Sequence, residues 1–188
     1  MKQTILDFWF GPPGTPDHGK ERAQWFRKDP AFDEAIRTRF GAAIESALAG
    51  GFAEWTDARG TLARILLLDQ FTRNVYRDTP RAFAGDALAL KLARDAVAHG
   101  QDQSMMPVER WFLYMPFQHA EDSVAQETSV ELFTRLRDEA GLEGPLPWAQ
   151  RHAEIVRRFG RFPHRNAIVG RASTPEEIAF LAKPGSGF

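Results

Sequence analysis

The chain of 188 residues contains no cysteine. Disulfide staples, zinc–thiolate centres, iron–sulfur clusters and thiol nucleophiles are thereby excluded. It also lacks an excess of one charge: 24 Lys and Arg face 25 Asp and Glu, a formal net charge of −1. The basic footprint that holds nucleic acid or an anionic membrane is missing, so no nucleic-acid or membrane partner is expected. Long apolar runs are missing too. The most apolar one, Ile65-Leu66-Leu67-Leu68, is closed by Asp69-Gln70, far short of the ~20 residues that span a bilayer. Met1 to Phe10 lacks the apolar core and small-residue cleavage site of a signal peptide, which points to the cytoplasm. No stretch alternates β-branched and polar residues as a strand does. Neither a dinucleotide fingerprint, a Gly-x-Ser-x-Gly elbow nor a His-Glu-x-x-His pair occurs. Gly11-Pro12-Pro13-Gly14 is a turn rather than a phosphate cradle, because proline has no N–H to offer. No cofactor and no metal is expected.

What remains is helix signals, on a chain 43% hydrophobic and 26% charged. That is an ordinary globular composition, and the length suits one domain over residues 1–188. Asp29 before Pro30 reads as an N-cap with proline at the first helical position. Phe32, Ile36, Phe40, Ile44 and Leu48 then form one apolar stripe, ended by Gly50-Gly51. A second helix is predicted over residues 57–76, with Gly60 a mild penalty, and a third over 86–99, closed by Gly100. Pro107 opens the next. Pro116 inside it predicts a kink or break between Tyr114 and Phe117. Ser123 with Gln126 reads as a capping box for a helix that stops at Gly141. Residues 148–159 form a short helix, Phe162 to Asn166 an irregular segment, and Thr174-Pro175-Glu176-Glu177 a second capping box. Leu6, Phe8, Trp9 and Phe10 make an apolar patch that docks on the body. The expected fold is all-α, with antiparallel helical hairpins stacked as a compact α-α superhelix.

Three segments put polar residues where core residues are expected. In Leu68-Asp69-Gln70-Phe71-Thr72-Arg73-Asn74, Asp69 and Arg73 share a helix face, as do Gln70 and Asn74. A salt bridge that fixes packing explains the first pair as well as a site does. In Tyr114-Met115-Pro116-Phe117-Gln118-His119-Ala120-Glu121-Asp122, His119 and Asp122 stand three apart. This suits a general base with its orienting carboxylate, a capping hydrogen bond, or half of a metal site completed by His152 or His164. Residues 151–171 hold Arg151, Arg157, Arg158, Arg161, Arg165 and Arg171 with His152 and His164, and one acid, Glu154. They either neutralise the preceding acidic stretch, which carries Glu121, Asp122, Glu127, Glu131, Asp138, Glu139 and Glu143, or build an anion-binding loop from Arg161, His164, Arg165 and Asn166.

Taken in order, these segments resemble a known family. Leu68-Asp69-Gln70-Phe71 with Arg73-Asn74, Tyr114-Met115-Pro116-Phe117 with His119, Glu121 and Asp122, Arg158-Phe159-Gly160-Arg161-Phe162-Pro163-His164-Arg165-Asn166, and Ser173-Thr174-Pro175-Glu176-Glu177 look like the bacterial domain of unknown function 924. The opening Ile5-Leu6-Asp7-Phe8-Trp9-Phe10-Gly11 is similar as well. The chain departs from that pattern at Thr72, where proline is frequent, and at Ala120, where serine is. The resemblance implies an all-helical fold similar to tetratricopeptide-type stacks. It implies no established activity.

Two functions follow as expectations. One is a tetratricopeptide-like binding module whose pocket takes an anionic small molecule or peptide, using Asp69, Gln70, Arg73, Asn74, Glu121, His152, Arg161, His164, Arg165 and Asn166. The other is a hydrolase- or lyase-type enzyme with His119 and Asp122 as its acid–base pair and Arg161 or Arg165 stabilising an anion. A single internal salt-bridge network is the structural alternative. The two functional expectations require the three segments to meet around a cavity.

Overall fold

The computed structural model describes residues 1–187, and every regular element among them is helical. The helices are α1 (Lys2–Phe10), α2 (Pro30–Leu48), α3 (Ala58–Ile65), α4 (Thr72–Val75), α5 (Asp86–Ala98), α6 (Pro107–His119), α7 (Ser123–Ala140), α8 (Pro145–Phe159) and α9 (Pro175–Leu181). Short 3-10 turns at Ala23–Trp25, Pro80–Phe83, Gln101–Ser104 and Pro163–Arg165 join several of them.

Local chemistry starts most helices where the sequence predicts. The Asp29 carboxylate accepts from Ala31 N at 3.0 Å and Phe32 N at 3.3 Å, ahead of Pro30. Thr174 and Glu177 form the predicted capping box around Pro175. The α2 stripe buries Ile36, Phe40 and Ile44. The apolar N-terminal patch is itself a helix, and α1 buries Ile5, Leu6, Trp9 and Phe10 against α3. Trp9 packs edge-on against Phe112 and tilted against Phe71, with centroids 5.4 and 5.3 Å apart. Such offset ring pairs make an aromatic centre from four separate chain segments once Phe40 joins Phe71 at 5.2 Å.

Of the kink or break expected at Pro116, the break does not occur: α6 runs through Pro116 to His119. One expectation just beyond it is corrected. The cap of α7 is Asp122, whose Oδ1 accepts from Ala125 N at 2.7 Å, and not Ser123. Gln126 is therefore free of a capping role. Its Nε2 turns back onto the C-terminal end of α6, donating to Gln118 O at 2.7 Å and Ala120 O at 2.8 Å. Helix ends leave orphan carbonyls, and a side-chain amide is one of the few buried groups that satisfies them.

The predicted helix over 57–76 exists as one rod with a wide turn inside it. Between α3 and α4, Leu66–Phe71 is π-helical, and every residue of this segment is buried. Thr72 Oγ1 donates to Leu68 O at 2.8 Å within it. Gly85 sits against the same turn. A Cβ built on it would lie 2.3 Å from Leu68 O and 2.9 Å from Leu68 C. Only glycine permits that approach, and it brings the first residue of α5, Asp86, beside α4.

Candidate functional site

The π-helical turn, α6 and the Pro163–Arg165 turn deliver one polar cluster. The wide turn aims Asp69 inward; its carboxylate is completely buried. Asp69 Oδ1 accepts from His119 Nδ1 at 2.7 Å and lies 3.1 Å from Arg73 Nη1 as an ion pair, Oδ2 accepts from Gln70 Nε2 at 2.6 Å, and Arg73 Nη1 donates to Asp69 O at 2.7 Å. π-Helical turns occur often where side chains must be re-aimed for function.

Asp86 forms a second node. It receives Arg73 through two hydrogen bonds, of 2.8 and 2.9 Å, and Arg165 Nη1 at 3.2 Å. Arg165 Nη2 donates to His119 O at 3.0 Å, which ties the 3-10 turn to the end of α6. Rings close the back wall. Arg165 lies over Phe83 and Phe162, 4.5 and 4.7 Å from their centroids.

The charge states follow from these contacts. Burial alone would raise the Asp69 pKa, but Arg73 and His119 outweigh it and hold the carboxyl well below its usual range. Burial, followed by the Arg73 charge, keeps His119 below the ordinary histidine value against the opposing pull of Asp69. Burial, then His119, holds His152 at about 3, and burial, then Arg165, holds His164 at about 4. Arg165 is drawn down to about 10 by burial and by Arg73, and it stays cationic at neutral pH. A carboxylate can only accept, so the neutral His119 ring carries its proton on Nδ1 and its lone pair on Nε2. No hydrogen bond to Nε2 is present among the described residues, and His119 lines an open cleft.

That cleft has a volume of about 810 Å³. Its polar wall contains Gln70, Arg73, Asn74, Gln118, His119, His152, His164 and Arg165, and its apolar wall Trp25, Phe26, Phe83, Trp111 and Trp148. Lys28, Arg77, Glu21 and Asp78 also reach it. The three polar segments therefore do meet around a cavity, with Asp69 directly behind His119.

Four candidates lie elsewhere. Asp122 does not orient His119; it caps α7 and contacts Arg94 at 3.4 Å. Glu121 binds Arg171, at 2.5 and 2.7 Å, and Phe162 N at 2.8 Å. Arg161 is held by Glu177 and by Ala172 O. Asn166 is fully buried among Ser173, Glu177 and Arg171. Glu121, Arg161 and Asn166 thus brace the segment that presents His164 and Arg165. Gln70 and Asn74 form no pair; Asn74 Nδ2 instead donates to Asp33 Oδ1 at 2.7 Å. The expected neutralisation by the preceding acids holds in part: Glu121 pairs with Arg171, whereas Arg158, Arg161 and Arg165 meet Glu176, Glu177 and Asp86, and Glu139 of α7 serves Arg110.

The sequence reading missed Asp86, which looked like an ordinary acid in the first turn of a helix. It also missed Gln118 and the aromatic wall, which looked like core. Among the described residues no group of three or more His, Asp or Glu could hold a metal ion. None of the described helices is long and apolar enough to cross a membrane.

Comparison with known proteins now adds to this geometry. The model of the family described as bacterial protein of unknown function (DUF924) matches residues 5–185. No curated protein matches the chain. A solved structure of a protein of unknown function from Agrobacterium tumefaciens is 42% identical, superposes with a TM-score of 0.83, and is covered over 96% of either chain. A family match over nearly all of the chain, joined by a structural match of that identity and extent, means that the chain belongs to the DUF924 family.

Proposed function

We propose that the cleft is the acid–base site of an enzyme of hydrolase or lyase type that acts on a small molecule. The observation that carries this reading is the Asp69–His119 pair, with His119 lining the cleft. A neutral imidazole fixed in one tautomer by a buried carboxylate is a competent general base, and the same carboxylate stabilises the imidazolium that forms. The proposed acid–base partner of His119 is Asp69, in place of Asp122.

The surrounding groups narrow the chemistry. Among the described residues no Ser, Thr, Tyr or Cys lines the cleft. A hydroxyl or thiol nucleophile is thus not supplied, and His119 takes its proton from water or from the substrate. Arg165 Nε, buried without a partner among the described residues, offers a donor to charge that develops on the substrate. Gln118 Oε1, in the same condition, offers an acceptor to a substrate N–H or O–H. The other guanidinium groups are committed: Arg73 to Asp86 and Asp69, Arg77 to Asp33.

A second reading keeps the chain as a tetratricopeptide-like module that binds an anionic small molecule or peptide without converting it. The aromatic mouth favours it: Phe26 and Trp148 are 53% and 50% exposed, and Phe26 stacks on Trp111 at 5.1 Å. Exposed aromatic side chains beside an open cleft suit capture of a planar or apolar group. Either reading takes the chain as one cytoplasmic domain.

One experiment separates the two. Wild type and His119→Gln are incubated with a bacterial small-molecule extract, and the extract is profiled by mass spectrometry. A compound consumed by wild type and left intact by a folded His119→Gln supports the enzyme. A compound retained by both proteins and consumed by neither supports the module.

A further inference from the structure

We infer that a second cleft, between α3 and α5, binds the oxyanion group of a small organic anion through Arg64. This cleft has a volume of about 410 Å³ and shares no lining residue with the first. Trp55, Leu88 and Leu92 form its apolar side, and Arg64, Lys91 and His99 contribute to its polar side.

Arg64 is only 8% exposed, and its Nε is buried with no hydrogen-bond partner among the described residues. The contrast with its neighbours on the same rod is sharp. Arg59 reaches Glu109 at 3.1 Å, and Arg73 reaches Asp69 and Asp86. Arg64 meets no acid among the described residues. A buried guanidinium N–H without an acceptor is unfavourable, and charges so largely buried are as a rule paired. The guanidinium lines the cleft, so the counter-charge that fits comes from solution.

The other charges on the cleft agree. Asp95, its acid, is engaged by Lys91 Nζ at 2.6 Å, and His99 Nδ1 donates to Asp95 O at 2.7 Å. Neither Asp95 nor its neighbours neutralise Arg64. The planar guanidinium fork matches the two oxygens of a carboxylate or a phosphate. The Trp55 ring, stacked on Phe52 at 4.2 Å, offers a flat wall to the apolar remainder of such a ligand.

The test uses sodium benzoate and sodium phosphate as probes at fixed ionic strength, with wild type, Arg64→Met and Arg64→Gln. A probe is expected to raise the wild-type Tm saturably, by about 3 °C or more, and to move one arginine Nε–Hε NMR signal. Arg64→Met should abolish both responses. In probe-free buffer it should melt at or above the wild-type temperature, because it removes an uncompensated charge. Response to benzoate alone assigns a carboxylate seated against Trp55; response to phosphate alone assigns a phosphate group. The inference is overturned if the variants respond as wild type does, or if wild type responds to neither probe. It is equally overturned if both variants melt well below wild type without probe, since Arg64 would then have its partner inside the fold.

Discussion

His119 donates its Nδ1 proton to Asp69 Oδ1, at 2.7 Å across 50 positions of the chain. Asp69→Asn leaves Arg73 and the ring without their shared charge, and its amide can present either an acceptor oxygen or an NH2 donor to His119. Breaking a buried pair of this kind costs about 3–5 kcal/mol, to be read from urea denaturation. The ¹⁵N shifts of His119 should show that its tautomer is no longer fixed. Asp122→Ala makes the contrast: it loses one helix cap, worth about 1 kcal/mol, and leaves the His119 spectrum unchanged.

Acid should destabilise the fold well above the carboxylate range. Burial, with the neighbouring His119, holds His152 at about 3, and burial, with Arg165, holds His164 at about 4. An unfolded histidine titrates near 6.5, so below that pH the unfolded chain binds more protons than the folded one. Stability is complete above about 6.5 and falls with pH until the folded rings protonate. Asp69 acts in the same direction further down, its contribution lost only as pH drops through its own lowered value. His152→Gln should reduce the slope of stability between pH 6 and 4.5 by about 1.4 kcal/mol per pH unit, one proton's worth. Urea midpoints across that range check it, and an unchanged slope contradicts it.

Gly85→Ala should cost about 1–3 kcal/mol, because its Cβ would lie 2.3 Å from Leu68 O and the backbone of one element must move. Gly85 has φ −92°, so the cost is one of space and not of conformation. The displaced α5 should also loosen Asp86 from Arg73, seen as a broadened Arg73 side-chain signal. Retained stability together with a sharp signal would refute the close approach.

Gln126→Leu should cost about 1–3 kcal/mol by leaving the carbonyls of Gln118 and Ala120 without their donor. Amide hydrogen exchange at the end of α6 should accelerate with it. Ser123→Ala, at the position that resembles a cap in the sequence, should change neither quantity.

The sequence was legible where a signal is local. Asp29-Pro30 and Thr174 with Glu177 are read within one helical turn, and both caps form. Asp69 and Arg73, four apart, do pair. Nearness in sequence misled at His119: Asp122 is three residues away, but the helix ends between them and turns it outward. Asp86 could not be found from its neighbours, because its role comes from Gly85 approaching Leu68 from a different helix. Arginine spacing marked the stretch that holds Arg161 and Arg165 without telling them apart. One is spent on Glu177 and the other faces the cleft, a division made by α9, which folds back onto the turn.

The six-residue wide turn at Leu66–Phe71 makes the site sensitive to counting. Such a turn amounts to one residue inserted into an α-helix. Deleting any one of the six would restore a regular helix and remove the widening that aims Asp69 inward at His119. Repair of the local backbone and survival of the cleft are therefore opposed in this segment. It should accept changes of side chain more readily than changes of length.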